Sequence, residues 1–181
     1  MRAILAGLLV AALAGCGGAS QANTPATLPV LAADAVPGLE ATTEPVSVED
    51  LLADFGAGTS NTELEISGFV SGRERVFQGE SQRFDRVVSR TLEFEDADAA
   101  SAYVQLVRDH AADLYGTGTN AREIESNGRD GVLVDAASCA CHRAEPTLAA
   151  AVADGSRVSY LEVNGGGAKP AAVEELLAEA P

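Results

Sequence analysis

The sequence predicts a single α+β domain in which an antiparallel sheet is covered by helices on one face. Two pairs of short runs that can form strands flank Asn127-Gly128 and Asp154-Gly155, and such turn dipeptides favour β-hairpins. Longer runs in which apolar residues recur at helical spacing lie between the groups of strands. Strands joined by tight turns pair antiparallel, and the intervening helices then pack against the sheet.

Residues 1–15 have the composition of a secretory leader peptide. Arg2 joins the free amino group as a short positive region, and residues 3–14 form an apolar run. That run is too short for a stable membrane span and ends in small residues that a peptidase could cleave. The leader is therefore left out of the predicted fold. It ends in the motif Leu13-Ala14-Gly15-Cys16.

This motif resembles the lipobox of bacterial lipoproteins, in which Leu, a small residue, and Gly or Ala precede a Cys. The resemblance implies that Cys16 receives a diacylglycerol on its sulfur and becomes the N-terminus after cleavage, usually with a further acyl chain on the amine. Two or three acyl chains give stable anchoring where one is marginal. We therefore expect a lipid anchor on the extracytoplasmic face of the cell membrane and no other cofactor. The alternative is an ordinary secretory signal that happens to contain a cysteine.

Residues 16–45 are rich in Gly, Ala, Thr and Pro and lack aromatic side chains, which is typical of a disordered tether. A flexible chain of about 30 residues has a mean reach of ~30 Å. The predicted globular domain is therefore residues 46–181. Its pattern of strands and helices is loosely similar to that of small secreted lipoproteins of actinobacterial type, and this likeness assigns no site residues.

The chain is strongly acidic. Its formal charge of −15 becomes one unit more negative when Arg2 is removed with the leader. This balance argues against nucleic acid as a partner, because phosphate binding requires Lys and Arg. It also argues against a second, electrostatic attachment to anionic lipid. The acidity is most simply a feature that keeps the domain soluble.

The globular part begins with a predicted short helix from Ser47, which can cap it, to Gly56. Two long antiparallel strands are expected next, because polar and apolar residues alternate in residues 63–67 and again in residues 88–94. The polar stretch QGESQ between them predicts a turn, and a bulge is expected at Ser71-Gly72.

A central helix is predicted after these strands. Asp96 or Asp98 can cap it, and Gly116 stops it. Its buried face comprises Tyr103, Leu106, Val107, His110, Ala111 and Leu114. His110 therefore lies on or beside the core. It is either a packed and hydrogen-bonded histidine or, with a nearby acid, a catalytic or ligand residue.

The remainder predicts two hairpins and a final helix. The hairpin strands are expected at residues 122–125, 132–135, 147–153 and 157–163. Pro170 is expected to open the last helix, which places its apolar residues inward and its glutamates outward.

Several arginines, including Arg83, lie on the two long predicted strands and indicate a local basic band on an acidic protein. A docking surface for an acidic ligand or partner would use Arg73, Arg75, Arg86 and Arg90. The alternative is that these arginines form cross-strand ion pairs with Glu63, Glu65 and Glu93.

Two cysteines remain once Cys16 is lipidated, and both lie in the stretch SCACHR as Cys139 and Cys141, followed by His142. A local disulfide between Cys139 and Cys141 is one interpretation, although Cα atoms two apart in a strand are ~6.6 Å from each other, near the upper limit for the bond. A metal or redox site of Cys139, Cys141 and His142 is the second, but tetrahedral zinc needs further ligands. Two unbridged thiols are the third.

Taken together, these features predict a non-enzymatic, lipid-anchored binding or interaction module on the cell envelope. The expected partners are the membrane, through the anchor, and an envelope protein or small ligand. No residue is assigned a catalytic role, because the sequence contains no GxSxG motif and no P-loop. The alternatives are a metal- or thiol-handling envelope protein that uses Cys139, Cys141 and His142, and an envelope hydrolase that uses His110.

Overall fold

The structure is a computed structural model, and it describes residues 28–55, 66–79, 81–136 and 146–180. Within these ranges the chain forms seven strands and four helices, in the order β1 (Glu40–Val46), α1 (Val48–Asp54), β2 (Phe69–Gln78), β3 (Arg86–Phe94), α2 (Ala97–Asp109), α3 (Ala111–Tyr115), β4 (Thr119–Ser126), β5 (Arg129–Ala136), β6 (Thr147–Asp154), β7 (Arg157–Asn164) and α4 (Pro170–Glu179). No helix in these ranges is both long and apolar enough to cross a membrane.

All seven strands belong to one antiparallel sheet with the order β1-β2-β3-β7-β6-β5-β4. After β3 the chain passes through α2 and α3 and reaches β4 at the opposite edge of the sheet. It then returns strand by strand until β7 pairs with β3 in the centre. The predicted α+β class with an antiparallel sheet is therefore confirmed.

Helices lie on both faces of this sheet, which corrects the prediction that they pack on one face. The first face is covered by α1, α2 and α3, and the second face by α4 together with residues 28–39. In β6, Ala151 is buried in the core of the first face and Ala150 in the core of the second. Successive side chains of a strand point to opposite faces, so a strand that is apolar along its length must be covered on both.

Residues 28–39 form an irregular segment on the second face, which we call the N-terminal strap. Its apolar side chains are buried in the core and are Leu28, Leu31, Val36 and Leu39. The strap crosses β3 and then turns into β1, which pairs with β2 along its whole length.

The strap and β1 correct the predicted tether of residues 16–45, because residues 28–45 are part of the fold. Residues 16–27 lie outside the described ranges. Polar side chains of β3 satisfy the strap backbone: the Ser89 hydroxyl accepts a hydrogen bond from the N–H of Leu31, and the Thr91 hydroxyl donates one to the carbonyl of Pro29. The strap is neither helix nor strand and so has no hydrophobic period, and β1 is mostly exposed and lacks alternating apolar residues, so neither gave a signal in the sequence.

The predicted helix starts are confirmed by their caps. Ser47 and Asp50 form a reciprocal capping box at α1. The carboxylate of Asp96 caps α2 by accepting a hydrogen bond from the N–H of Ala99, so Asp96 is the cap of the two candidates. Pro170 is the first residue of α4. The side-chain caps of α1 and α2 satisfy backbone donors that the first helical turn leaves unpaired. Helix α4 has no side-chain cap, and its first residue is a proline, which has no N–H to satisfy.

The predicted hairpins are also confirmed, with small shifts in position. Asn127 and Gly128 form the turn between β4 and β5 with φ values of 54° and 74°, and the second turn lies one residue later than predicted, at Gly155-Ser156. The first of the two long strands, β2, begins at Phe69, later than the predicted run of residues 63–67. Of that run, residues 63–65 lie outside the described ranges and residues 66–67 are not in a strand. The β2–β3 register shifts between Phe69 and Ser71, which places the bulge beside its predicted position.

Candidate functional site

Polar side chains from four elements converge on a small cleft in the first face of the sheet. Its volume is about 120 Å³. The cleft is lined by Asp54 of α1, Arg86, Val88 and Arg90 of β3, Leu114 and Tyr115 of α3, and Tyr160 and Glu162 of β7. We call this set of residues the polar cleft.

Strand register brings the central residues together. Arg90 is the direct cross-strand partner of Tyr160, and Val88 is the partner of Glu162. Because side chains alternate along a strand, residues two apart in β3 and in β7 share the first face. Asp54 is the last residue of α1, and α3 follows α2 after a break at His110 that directs Leu114 and Tyr115 toward the sheet.

Arg90 is the innermost charge of the cleft, with only 14% of its side chain exposed. It donates hydrogen bonds to the carboxylates of Asp54 and Glu74, and its guanidinium carbon lies 5.5 Å from the ring centroid of Tyr160. Burial by itself lowers the pKa of Arg90, but the neighbouring Asp54 and Glu74 outweigh it and raise the pKa further above its ordinary value. Arg90 is therefore a permanent cation held by two carboxylates and one aromatic face.

Glu162 is the centre of a second set of contacts. Arg86 donates a hydrogen bond of 3.1 Å to Oε1, and the hydroxyl groups of Tyr160 and Tyr115 lie 3.2 and 3.4 Å from Oε2. The two tyrosine hydroxyls also share a short hydrogen bond with each other. Burial raises the pKa of both tyrosines, and the charge of Glu162 raises it further. Both hydroxyls therefore stay protonated at neutral pH. One of the two protons is used in their mutual hydrogen bond, so the other is the one that can be donated to Glu162.

Two charged residues remain at the solvent-facing rim of the cleft. The Arg86 side chain is 38% exposed and uses Nη1 to bind Glu162, and the Asp54 side chain is 35% exposed and uses Oδ2 to bind Arg90. Each of these groups thus has further hydrogen-bonding atoms turned away from its protein partner.

The four arginines predicted to form one basic band are divided between the two faces of the sheet. Arg86 and Arg90 lie in the polar cleft, whereas Arg73 and Arg75 lie on the second face. There Arg73 contacts the carbonyl of Leu28, and Arg75 binds the carbonyl of Leu31 and, at 2.8 Å, the hydroxyl of Thr43. The four arginines therefore do not form a single basic band. Arg73 and Arg75 pair with Thr91 and Ser89, whose side chains point to the opposite face of β3 from those of Arg86 and Arg90.

Arginines of the two long strands do form cross-strand ion pairs, but the observed carboxylate partners are not the predicted ones. Glu93 pairs with Arg157 at 2.6 Å rather than with an arginine of the two long strands. Arg90 pairs with Glu74, a residue that the sequence analysis did not single out. Glu63 and Glu65 lie outside the described ranges.

His110 lies at the junction of α2 and α3 and not in the cleft. Its Nδ1 is 2.8 Å from Oδ2 of Asp113, and its ring meets the edge of Phe55 with a centroid separation of 6.1 Å. These contacts match a packed and hydrogen-bonded histidine. A hydrolytic role for His110 stays a prediction.

Cys139, Cys141 and His142 lie outside the described ranges, as does Cys16. The alternatives of a disulfide, a metal or redox site and free thiols therefore stay predictions. In the part of the chain that the structure describes, no group of three or more His, Cys, Asp or Glu side chains is arranged to hold a metal ion.

Two larger depressions border α2, but their polar lining differs from that of the cleft. One, of about 400 Å³, lies beside the β4–β5 hairpin, and the other, of about 500 Å³, lies at the start of α2. Their acidic residues are solvent-exposed and are Glu123 and Asp130 in the first, and Glu95, Asp96 and Asp98 in the second. Exposed carboxylates on an acidic protein are ordinary surface, so volume alone does not make either depression the better site.

Sequence reasoning missed Asp54, Tyr115, Tyr160 and Glu162. One signal was present in the composition, because the chain has only three tyrosines and no tryptophan. Two of these tyrosines line the cleft, and the third, Tyr103, is close enough for the charges of Arg90 and Asp54 to act on it. Scarce aromatic residues that gather in one place are a sign of a polar site with an apolar wall.

Comparison with known proteins gives little further information. No protein-family model matches the chain, and no curated protein matches it. The crystal structure of the extracellular domain of PknH from Mycobacterium tuberculosis is similar to the chain with 12% sequence identity and a TM-score of 0.47, covering 77% of this chain and 79% of that one. A likeness of this degree assigns no ligand, partner or activity to the chain.

Proposed function

We propose that this chain is a lipid-anchored extracytoplasmic binding module that holds its ligand in the polar cleft and does not turn it over. The observation that supports the cleft as the site is the convergence of Asp54, Arg90, Tyr160 and Glu162 from three elements onto about 120 Å³. Ligand sites are typically concave and combine an apolar wall with a few polar groups that fix orientation. Val88 and Leu114 provide the apolar wall here.

The contacts within the cleft favour binding over catalysis. A general base must reach the proton that it abstracts, and Glu162 already accepts from Arg86 and is in contact with the hydrogen-bonded hydroxyl pair of Tyr115 and Tyr160. Arg90 is likewise engaged with two carboxylates. Groups held in this way are rigid recognition elements, because each is fixed by a neighbour before a ligand arrives.

The anchor is tested by labelling cells with radioactive palmitate. We expect label on the wild-type chain and none on Cys16→Ser, because serine at the lipobox position has no thiol on which the diacylglycerol thioether could form. Cys139→Ser is the matched control and should keep the label. Label that persists in Cys16→Ser contradicts the anchor.

The binding function is tested by adding fractionated small molecules from the cell envelope and measuring the melting temperature. A ligand of the native state raises the melting temperature by mass action. We expect a fraction that stabilises the wild type and Glu123→Gln, a control with an exposed carboxylate, but not Glu162→Gln. A fraction that stabilises all three proteins equally places its ligand outside the cleft and contradicts the proposal.

A further inference from the structure

The inner charges of the polar cleft are already neutralised by one another. Arg90 lies between the carboxylates of Asp54 and Glu74, and Glu162 binds Arg86 and is in contact with the hydrogen-bonded hydroxyl pair of Tyr115 and Tyr160. A ligand therefore meets the two rim groups, which are the outer edge of the Arg86 guanidinium and the outer oxygen of Asp54. These groups have opposite charges, and each is exposed over more than a third of its side chain.

The two rim groups lie at opposite ends of the cleft. Asp54 binds Arg90 at one end of the cleft. Arg86 is four residues before Arg90 in β3, so the Cα atoms of Arg86 and Arg90 are roughly 13 Å apart. Arg86 leans toward the centre because it binds Glu162, the cross-strand partner of the intervening Val88. The cleft between the two rim charges has room for roughly four water molecules, at ~30 Å³ each.

A ligand with a single charge fits this arrangement poorly. A simple anion would approach Arg86 but would face Asp54 and Glu162 and the acidic surface of the whole chain. A simple cation would approach Asp54 but would face Arg86. A ligand with an anion at one end and a cation at the other matches both ends and brings no net charge.

We infer that the polar cleft binds a small zwitterion, with its carboxylate on Arg86 and its ammonium group on Asp54. This inference rests on the proposed function and adds the chemical class of the ligand. The guanidinium edge of Arg86 is suited to pair with a carboxylate through two parallel hydrogen bonds.

The inference is tested by calorimetric titration of the full chain with probes of graded length and charge. The zwitterions are glycine, β-alanine and γ-aminobutyrate, and the single-charge controls are propionate and propylamine. We expect at least one zwitterion to bind at least about tenfold more tightly than either control, because each control lacks one of the two ion pairs.

Two variants and a control locate the binding. Arg86→Gln and Asp54→Asn should each weaken zwitterion binding by about tenfold or more, whereas Arg83→Gln should not, because Arg83 pairs with Glu175 outside the cleft. Thermal unfolding of each variant verifies that the fold is retained. Propionate or propylamine binding as tightly as the zwitterions, or no zwitterion binding to the wild type, overturns the inference.

The zwitterion test and the test of the proposed function can fail independently. If no zwitterion binds but an envelope fraction still stabilises the wild type and not Glu162→Gln, the ligand class is wrong and the binding function stands. If no zwitterion binds and no envelope fraction gives a stabilisation that is lost in Glu162→Gln, both the ligand class and the binding function are wrong.

Discussion

The guanidinium of Arg90 lies over the ring of Tyr160, its direct cross-strand partner, at 5.5 Å from the centroid. The same guanidinium binds the carboxylates of Asp54 and Glu74. One residue of the central strand therefore joins α1, β2 and β7 on the first face of the sheet. The Arg90 charge is mostly shielded from water, so Asp54 and Glu74 would lose their cationic partner in a partly buried site if Arg90 were replaced.

Replacing Arg90 with Leu should destabilise the fold by about 3 kcal/mol, at the low end of the range for breaking a buried pair, because both carboxylates keep some contact with water. Arg83→Leu is the control, since its pair with Glu175 is more than half exposed on both sides and should cost less than about 1 kcal/mol. Urea denaturation measures both. Equal losses in the two variants would show that Arg90 is not a structural centre.

The hydroxyls of Tyr115 and Tyr160 should be energetically coupled. Each change to Phe should cost about 1 kcal/mol, and the double change should cost less than the sum by at least about 0.5 kcal/mol, because the shared hydrogen bond is lost only once. Denaturant unfolding of the double-mutant cycle gives this number. The cycle of Tyr103→Phe with Tyr160→Phe should be additive, since Tyr103 contacts Phe94 rather than Glu162. Additivity in the first cycle would refute the coupling.

The N-terminal strap should contribute to the stability of the whole domain. Leu31→Ala removes a fully buried side chain and should cost about 2–4 kcal/mol. Leu52→Ala makes the same chemical change on the exposed side of α1, where 36% of the side chain is accessible, and should be close to neutral. Chemical denaturation compares them. If Leu31→Ala leaves the free energy of unfolding unchanged, the strap does not stabilise the domain, and the predicted tether would hold for its residues.

Two adjacent glycines should respond differently to the same substitution. A Cβ at residue 167 would lie 2.3 Å from the carbonyl oxygen of Arg83, whereas a Cβ at residue 166 meets nothing within 4 Å. Gly167→Ala must therefore separate the β7–α4 connection from the turn before β3 and should cost about 1–3 kcal/mol. Gly166→Ala should change the melting temperature little. Equal melting temperatures for the two variants would mean that the close approach is absent in solution.

The ion pair of Glu93 and Arg157 should make stability depend on pH in the acid range. Partial burial raises the pKa of Glu93, but hydrogen bonds from Arg157 and Ser156 outweigh it, so the pKa in the folded state lies below its ordinary value. The unfolded chain then binds a proton first as the pH falls, so this stabilisation is present above the ordinary glutamate pKa and is lost below it.

Glu93→Gln should therefore flatten the acid side of the curve of unfolding free energy against pH. Arg157→Gln should flatten it in the same range, because it removes the donor that lowers the pKa. High salt should weaken the effect in the wild type, since the Arg157 side chain is half exposed. An acid limb unchanged in both variants would rule out this pair as its source.

The sequence by itself determined the features that depend on short-range contacts. The caps at Ser47 and Asp96 and the turn at Asn127-Gly128 are made by residues within four positions of one another, so local residue types specify them. The α+β class followed, because alternating and helical spacings are also local. These signals do not state which strand lies beside which.

The packing of the strap, the covering of the second face and the assembly of the polar cleft are determined by tertiary structure alone. The cleft exists because Arg90 and Tyr160, seventy positions apart, meet through the pairing of β3 with β7. A shift of one residue in that register would turn Tyr160 and Glu162 to the other face of the sheet. Their position therefore depends on how the two cores pack, and no local pattern in the chain encodes that packing.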